Sequence, residues 1–425
     1  MASNLFMNNG EKRKMKVLII SHFFYPEMMA IAKRVMELGE TLIEQGNEVT
    51  VLTGFPNYPD GIVLPEYRGK LFQVEYIKRM KVIRTCIYAS HNKIFGARLA
   101  NNISFMASSI LRGFFLKDKP EVILAISPPL FTGVSAYVLS KFMKIPFVFD
   151  VQDMYPDTAI DFGMLKNRYA ISSAKWLEKR IYQGAKKIAV ISNGFKENLV
   201  HKGIDSGKIE IIPNWVDTNR FHPNTESKHI RQEFNLTNKF VVIFVGSLGI
   251  GQKPQNIILT ADKLKTQKDI MFVFVGGGVE KKECILLQQK LGLQNVLFIP
   301  PQPMEIIPNY IVASDVCLVH LRDIPVFNIT VPSKTYEYMA SSRPIIMAVK
   351  GDAKKLVENA RCGLYVEPEN PDLLAKAILT LYDDKRLGIE YGKNGRVDAV
   401  ENYSKDIVTS YYMQMLSNIL SIPKN

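Results

Sequence analysis

The sequence predicts an α/β protein made of two domains in tandem, each a parallel sheet with helices on both faces. Short β-branched runs alternate with segments of helical period from Lys16 to Pro368. The strand runs are almost continuously apolar, which a strand needs when both its faces are covered. A polar stretch, residues 218–238, interrupts the alternation once, and the pattern then restarts. The chain has 425 residues, more than one core ordinarily organises. The expected division is 1–217 for the first domain, 218–404 for the second, and 405–425 for a terminal helix that packs back on the first.

In the first domain Lys16–Ser21 (KVLIIS) reads as a buried strand. A helix follows with Ile31, Val35, Leu38 and Leu42 on one face, closed by Gly46. The next strands are Glu48–Gly54, Glu121–Ser127, Pro146–Asp153 and Lys186–Ser192, with helical stretches at Leu130–Met143, Tyr169–Gly184 and Phe195–Gly203. After the polar linker the strands are Phe240–Ser247, Ile270–Gly278, Val296–Pro300, Val316–Leu321, Pro344–Val349 and Gly363–Pro368, separated by helical stretches. Both halves are thus Rossmann-like.

Composition narrows the function classes. Apolar residues make up 47%, which excludes disordered or collagen-like chains. The longest apolar candidate for a spanning helix, Ile103–Leu116, contains Arg112, and the first twenty residues lack a signal-peptide core, so a cytoplasmic protein is expected. Cys86, Cys284, Cys317 and Cys362 lie far apart, as reduced structural thiols do, with no spacing suited to zinc or a disulfide framework.

The net charge of +13 is concentrated. Arg68–Lys119 holds 11 basic residues against Glu75 and Asp118 alone. Such a region is either a solvated face or a contact for an anionic partner, a membrane surface or a phosphate-bearing substrate. Ile94, Phe95, Leu99, Ile103, Phe105, Met106, Ile110, Leu111, Phe114 and Phe115 are interleaved with it. A helix through Phe95–Lys117 can lie in a membrane interface with Arg98, Arg112 and Lys117 at its polar edge; core packing explains the same residues.

In doubly wound folds ligands bind beyond the carboxyl ends of the strands. There the second domain carries Gly246-Ser247-Leu248-Gly249-Ile250-Gly251-Gln252-Lys253 before a helix, a plausible pyrophosphate cradle although not the GxGxxG spacing. A tight strand–helix turn needs the same glycines. Further on, Pro332, Ser333 and Lys334 open a helix, putting a cation and free amides where phosphate is favoured. Glu337 follows Lys334 by one turn and can accept two hydrogen bonds from a ribose diol. An ordinary surface Lys–Glu pair has that spacing too.

The run Pro332–Ile345 (PSKTYEYMASSRPI), with Pro56–Gly61 (PNYPDG), Asp150–Asp157 (DVQDMYPD), Ile191–Phe195 (ISNGF) and Ile212–Asp217 (IPNWVD), resembles the retaining GT-B glycosyltransferases of family 4. More narrowly, it is similar to the bacterial branch that builds O-antigen, capsule and colanic-acid units, including fucosamine-type transferases. The likeness runs from about Met15 to Tyr403.

It implies the GT-B fold, with two Rossmann-like domains facing an interdomain cleft. It also implies transfer, with retention, of a sugar from a UDP-sugar, an N-acetylated amino or deoxyamino sugar, without metal or other cofactor. By position, Glu337 matches the ribose-holding carboxylate, Lys334 and Ser333 the phosphate-facing helix start, and Gly246, Ser247, Gly249 and Gly251 the pyrophosphate loop. Lys253, Gly277 and Pro301 complete the expected donor site. Asp153 falls where a polar residue lies near the transferred sugar and acceptor, although an Asp there also suits a helix cap. Asp153, Lys334 and Glu337 are the catalytic candidates; His22, Tyr58, Asp153, Tyr155 and Asp157 are the acceptor candidates.

Three positions depart from the family pattern: Ile329 stands where a first Glu precedes Glu337 by eight, Ser247 where Arg follows the glycine, and Pro26–Ala30 where glycines approach the phosphates. The implied acceptor is a polyprenyl-diphosphate-linked saccharide, which Arg68–Lys119 would meet on the inner face of the plasma membrane. Other readings are a GT-B transferase with a soluble acceptor and a UDP-sugar 2-epimerase, whose acid/base carboxylates and histidines are not evident here. Nucleic acid is not an expected partner, because the aromatics follow core periodicity.

Overall fold

The computed structural model describes residues 14–27, 29–58, 60–91 and 95–421. Contacts divide the chain into two compact units. The first comprises Met1–Ala189, Gly207–Glu210 and Tyr412–Asn425; the second comprises Val190–Ser206 and Ile211–Tyr411.

The first sheet contains β1 (Lys16–Ser21), β2 (Glu48–Gly54), β3 (Phe72–Ile77), β4 (Met80–Thr85), β5 (Val122–Ile126), β6 (Phe147–Val151), β7 (Lys187–Val190) and β8 (Ile209–Ile211). Their order is β3-β4-β2-β1-β5-β6-β7-β8. Helices α1 (Ala30–Glu44), α2 (Phe95–Phe114) and α3 (Phe131–Met143) pack on it. Val17 to Ile20 of β1 and all of β5 and β6 are buried, as the apolar runs require. The pairings of β1, β2, β4, β5 and β6 with one another are parallel, but β3 runs antiparallel to β4 at the sheet edge. Sequence reading missed this hairpin, because β3 alternates with Phe72, Val74 and Tyr76 facing outward.

The second sheet contains β9 (Phe240–Val245), β10 (Ile270–Val275), β11 (Val296–Ile299), β12 (Val316–His320), β13 (Ile345–Ala348) and β14 (Gly363–Tyr365), in the order β11-β10-β9-β12-β13-β14, all parallel. Alternation along β9 feeds two cores. Val241, Ile243 and Val245 enter one, and Phe240, Val242 and Phe244 the other. Each such side chain contributes about 1.5–3 kcal/mol on burial. The polar segment read as a linker places Phe221, Ile230 and Leu236 in the first of these cores.

Within the first unit, Tyr412 of the C-terminal helix Lys405–Ser421 is tied to the sheet. The buried Tyr412 hydroxyl donates to Asp150 Oδ2 (2.7 Å), and Arg34 Nη2 donates to Tyr412 Oη (2.6 Å). All four cysteines are free, and burial pushes the Cys284, Cys317 and Cys362 thiols up to about 12. Among the described residues, no helix is long and apolar enough to cross a membrane.

Candidate active site

In the second unit the chemistry-bearing residues gather at the carboxyl ends of β9, β10 and β12. The helix Lys334–Ala340 is fixed to the end of β9 by Tyr338, whose buried hydroxyl accepts from Val245 N (3.0 Å). This brings Lys334 back over the strand. Its Nζ lies 3.9 Å from the Phe244 ring centre, a cation–π contact. A Cβ built on Gly246 would meet that Nζ at 3.2 Å, so the ammonium occupies the space a side chain at 246 would need. Gly246 has φ +121°, a conformation open to glycine. A Cβ on Gly276, at the end of β10, would strike Gly246 O at 2.0 Å.

Burial pulls the Lys334 ammonium down to about 8, with Glu337 opposing the shift. Glu337, one turn on, is half-buried, and Ser333 is exposed at the helix start with no side-chain cap hydrogen bond. The unit therefore presents a cation, a carboxylate and a glycine-rich backbone on one short stretch of surface.

The loop after Gly246 is pinned rather than loose. Leu248 N donates to Gly277 O (2.8 Å), Gln252 N to Gly249 O (3.1 Å), and Arg322 N to Gly251 O (2.8 Å). A Cβ on Gly277 would lie 3.1 Å from Pro301, so those two candidates adjoin. Ser247 is exposed. Lys253 forms an ion pair with Glu369, which fastens the loop to the chain after β14; no phosphate-facing role is needed to explain it.

Sequence reading missed His320, the last residue of β12. Its Nδ1 lies 2.8 Å from Gln252 O, and Nε2 accepts from Glu369 N (3.4 Å). Those partners require the neutral Nδ1–H tautomer. Burial holds its pKa down to about 4, which keeps that form. An ionisable residue closing an apolar strand was the available signal. Ile329, which replaces the family's first Glu, lies against Gly194: Ser192 Oγ donates to Ile329 O (2.5 Å), and Gly194 N donates to Asp352 Oδ2 (2.6 Å). The ISNGF segment is thereby part of the second unit.

In the first unit the acceptor candidates follow β1, β2 and β6. His22 is buried between Phe23 and Phe105, ring centres 4.5 and 4.7 Å away, and burial lowers its pKa to about 3 with Asn101 opposing. Tyr58 is exposed, its ring 6.5 Å from Phe23. The Asp153 carboxylate accepts from Thr158 Oγ1 (2.6 Å) of the helix Asp157–Asp161, but that helix starts at Pro156 with no side-chain cap hydrogen bond, so Asp153 does not cap it; burial raises its pKa. Tyr155 and Asp157 are half-buried in the same loop.

A residue not anticipated, Glu27, holds the loops together. Its buried carboxylate accepts from Asn57 N (3.0 Å), Tyr58 N (2.9 Å) and Phe24 N (3.3 Å). Among the described residues, no group of three or more His, Cys, Asp or Glu could hold a metal ion.

Two nucleotide-binding-type α/β units, with a lysine, a carboxylate and a glycine loop on the second, define a sugar-transferring enzyme of GT-B architecture. Residues 226–398 match the family model "Glycosyl transferases group 1", and residues 30–215 match "Glycosyl transferase 4-like domain". The chain belongs to these group 1, 4-like glycosyltransferases.

Among curated relatives, WcaI of Escherichia coli K12, named for colanic acid biosynthesis glycosyl transfer, is 26% identical over 374 residues, 86% of this chain and 91% of that protein. The N,N'-diacetylbacillosaminyl-diphospho-undecaprenol alpha-1,3-N-acetylgalactosaminyltransferase of Campylobacter jejuni is 22% identical over 289 residues, 66% of this chain and 73% of that one. Solved structures share the fold. HepE of Anabaena, in complex with UDP and glucose, superposes with TM-score 0.72 at 18% identity, covering 95% of this chain and 99% of that chain. Sucrose-phosphate synthase of Thermosynechococcus elongatus gives 0.78 at 18%, covering 96% and 100%.

Proposed function

We propose that this glycosyltransferase moves an N-acetylated amino or deoxyamino sugar from a UDP-sugar to a polyprenyl-diphosphate-linked saccharide in bacterial surface polysaccharide synthesis. The observation that carries the donor side is the Lys334 ammonium set against Gly246, with Glu337 one turn on. The UDP complex of HepE and the diphospho-undecaprenol acceptor in the Campylobacter relative's name support the donor and acceptor classes.

Breaking the anomeric C–O bond leaves negative charge on the diphosphate, so the largest help comes from donors fixed before the reaction. In this reading Lys334 and the amides of Ser247 and Gly249–Gly251 meet that charge without a metal, and Glu337 orients the ribose. The configuration is retained: the acceptor oxygen bonds to the anomeric carbon on the face the diphosphate leaves, and the acceptor proton passes to the departing phosphate oxygen. Asp153 lies at the acceptor, with His22, Tyr58, Tyr155 and Asp157 around it. The enzyme works as a peripheral protein on the inner leaflet, which Arg68–Lys119 faces.

The test is a panel of UDP-sugars screened for thermal stabilisation, the best then incubated with membrane extract and the product weighed. A lipid-linked product one sugar heavier is expected, and it should disappear with Lys334→Ala. Near-normal turnover by that variant overturns the donor site. Turnover on a water-soluble acceptor alone overturns the lipid-linked one.

A further inference from the structure

The edge strand β3 is inside out. Gln73 and Glu75 point toward the protein, where Glu75 pairs with Arg84 Nε (2.5 Å) beside Tyr67. The opposite face carries Phe72, Val74 and Tyr76, which are 51%, 41% and 73% exposed, and the preceding Leu71 is 77% exposed. Register explains the arrangement. Phe72, Val74 and Tyr76 lie opposite Thr85, Ile83 and Lys81 of β4. Helix α2 covers that side of β4: Ile83 is buried, and Ser108 Oγ donates to Thr85 Oγ1 (3.0 Å). Its recorded ring contact with β3 is Arg112, whose guanidinium sits 4.5 Å over the Phe72 ring. The strand overhangs the helix layer.

The apolar ledge continues past Arg112. Leu111 and Phe115 are exposed on α2 and just beyond it, and Arg112 Nη1 donates to Phe115 O (3.3 Å). Phe114 meets the exposed Phe142 of α3 at 4.5 Å between ring centres. Exposed cations border each part: Lys70 before β3, Lys78 and Arg79 after it, Lys117 and Lys119 after Phe115, and Lys141 and Lys144 around Phe142. The acids beside these cations are engaged, Asp118 by Lys81 (2.7 Å), Glu75 by Arg84, Glu48 by Lys14 (2.7 Å) and Glu40 by Lys78 at 4.0 Å. Lys93 and Ile94 lie outside the described residues.

An exposed apolar edge strand is ordinarily a hazard, and a contiguous apolar patch marks a surface that something covers. Phenylalanines flanked by tyrosine and a rim of cations match the interface of an anionic bilayer, where rings sit at headgroup depth and the cations meet lipid charge. We propose that the β3 ledge, with Leu111, Phe115 and Phe142, inserts into the headgroup layer of an anionic membrane. This deepens, and rests on, the reading of a lipid-linked acceptor met at the membrane. It places the inserted element on the β3 edge and the rim beside it rather than along the whole helix Phe95–Lys117.

The test uses the full chain with vesicles of phosphatidylcholine containing a quarter phosphatidylglycerol. Wild type is expected to float with these vesicles, and a Phe72→Ser/Tyr76→Ser/Phe142→Ser variant to partition at least about tenfold more weakly. Phe72→Trp is expected to gain fluorescence quenching by lipids brominated near the headgroup, beyond that of the wild-type tryptophans. UDP affinity of every variant is measured alongside, so that a misfolded triple variant is recognised and Phe72→Trp quenching decides instead. Vesicle binding with no added quenching and no loss in the triple variant overturns insertion and leaves a purely electrostatic contact. No vesicle binding by wild type overturns both. A solution dimer dissolved by the triple substitution, with vesicle binding unchanged, assigns the ledge to a second copy and overturns the proposal. Failure of UDP-sugar turnover, with insertion intact, falls on the proposed reaction alone.

Discussion

Lys334 packs its ammonium against Gly246: the lysine's Nζ stands 3.2 Å from where a Cβ on residue 246 would be, so an added methyl would push it by a few tenths of an ångström. Gly246→Ala therefore has two costs, a side chain at φ +121° and displacement of the ammonium. The expected result is about 1–3 kcal/mol lost from unfolding free energy, read by denaturant titration. With Lys334 at the diphosphate as proposed, UDP affinity, read by calorimetry, should fall by up to about tenfold, because the cation is shifted from its partner. Unchanged affinity would show that the lysine does not meet the donor.

The same burial makes donor binding pH-dependent. In the free enzyme Lys334 is lowered to about 8, and an anionic ligand beside it raises that value. Below pH 8 the lysine is already charged and affinity is at its plateau. Above it a proton must be taken up on binding, so affinity should weaken by up to about tenfold per pH unit. Calorimetry with a UDP-sugar in buffers of different ionisation enthalpy would register the uptake. Lys334→Gln should be weaker throughout and flat across this range.

His320 has the opposite linkage. Its folded pKa, about 4, lies below the ordinary imidazole value of 6.5, so the unfolded chain binds the extra proton. Stability contributed by the neutral ring is fully present above pH 6.5 and is lost as pH falls toward 4. His320→Gln should flatten that part of the stability–pH curve and loosen the Gly246–Lys253 loop, seen as faster amide exchange at Gln252 and Glu369. An unchanged slope between pH 6.5 and 4 would remove His320 from the loop's support.

The strands with both faces covered were legible because burial on two sides leaves continuous apolar runs, as in β1, β5 and β9. The β3–β4 hairpin was not, because β3 puts its apolar residues outward and buries Glu75 against Arg84, reversing the usual cue. In the site, Lys334 and Glu337 were legible as a pair one turn apart on a helix. Lys253 looked like a donor contact because sequence cannot disclose Glu369, more than a hundred residues away, as its partner. Glu27 was silent for a related reason: its work is done on backbone groups, Asn57 N and Tyr58 N, and backbone partners leave no trace in residue type, whereas His320 left only the trace of an ionisable residue closing an apolar strand.

The Arg34–Tyr412–Asp150 cluster predicts how the C-terminal helix is held. Arg34 is 6% exposed, and Asp150 and Tyr412 are fully buried, so the three are desolvated together, with Gln152 Nε2 also donating to Asp150 Oδ1 (2.5 Å). Tyr412→Phe removes one hydroxyl that both donates to Asp150 and accepts from Arg34, while Arg34 Nε still reaches Asp150 at 3.4 Å. That variant should lose about 1–3 kcal/mol. Asp150→Ala leaves a buried guanidinium without its carboxylate and should cost more, about 3–5 kcal/mol. Because Tyr412 is the first residue of the terminal stretch grouped with the first unit, both variants should speed proteolysis within Tyr412–Asn425 ahead of global unfolding. Wild-type protease resistance there in Asp150→Ala would mean that apolar packing of the helix, through buried Met415, Leu416 and Ile419, holds it without the cluster.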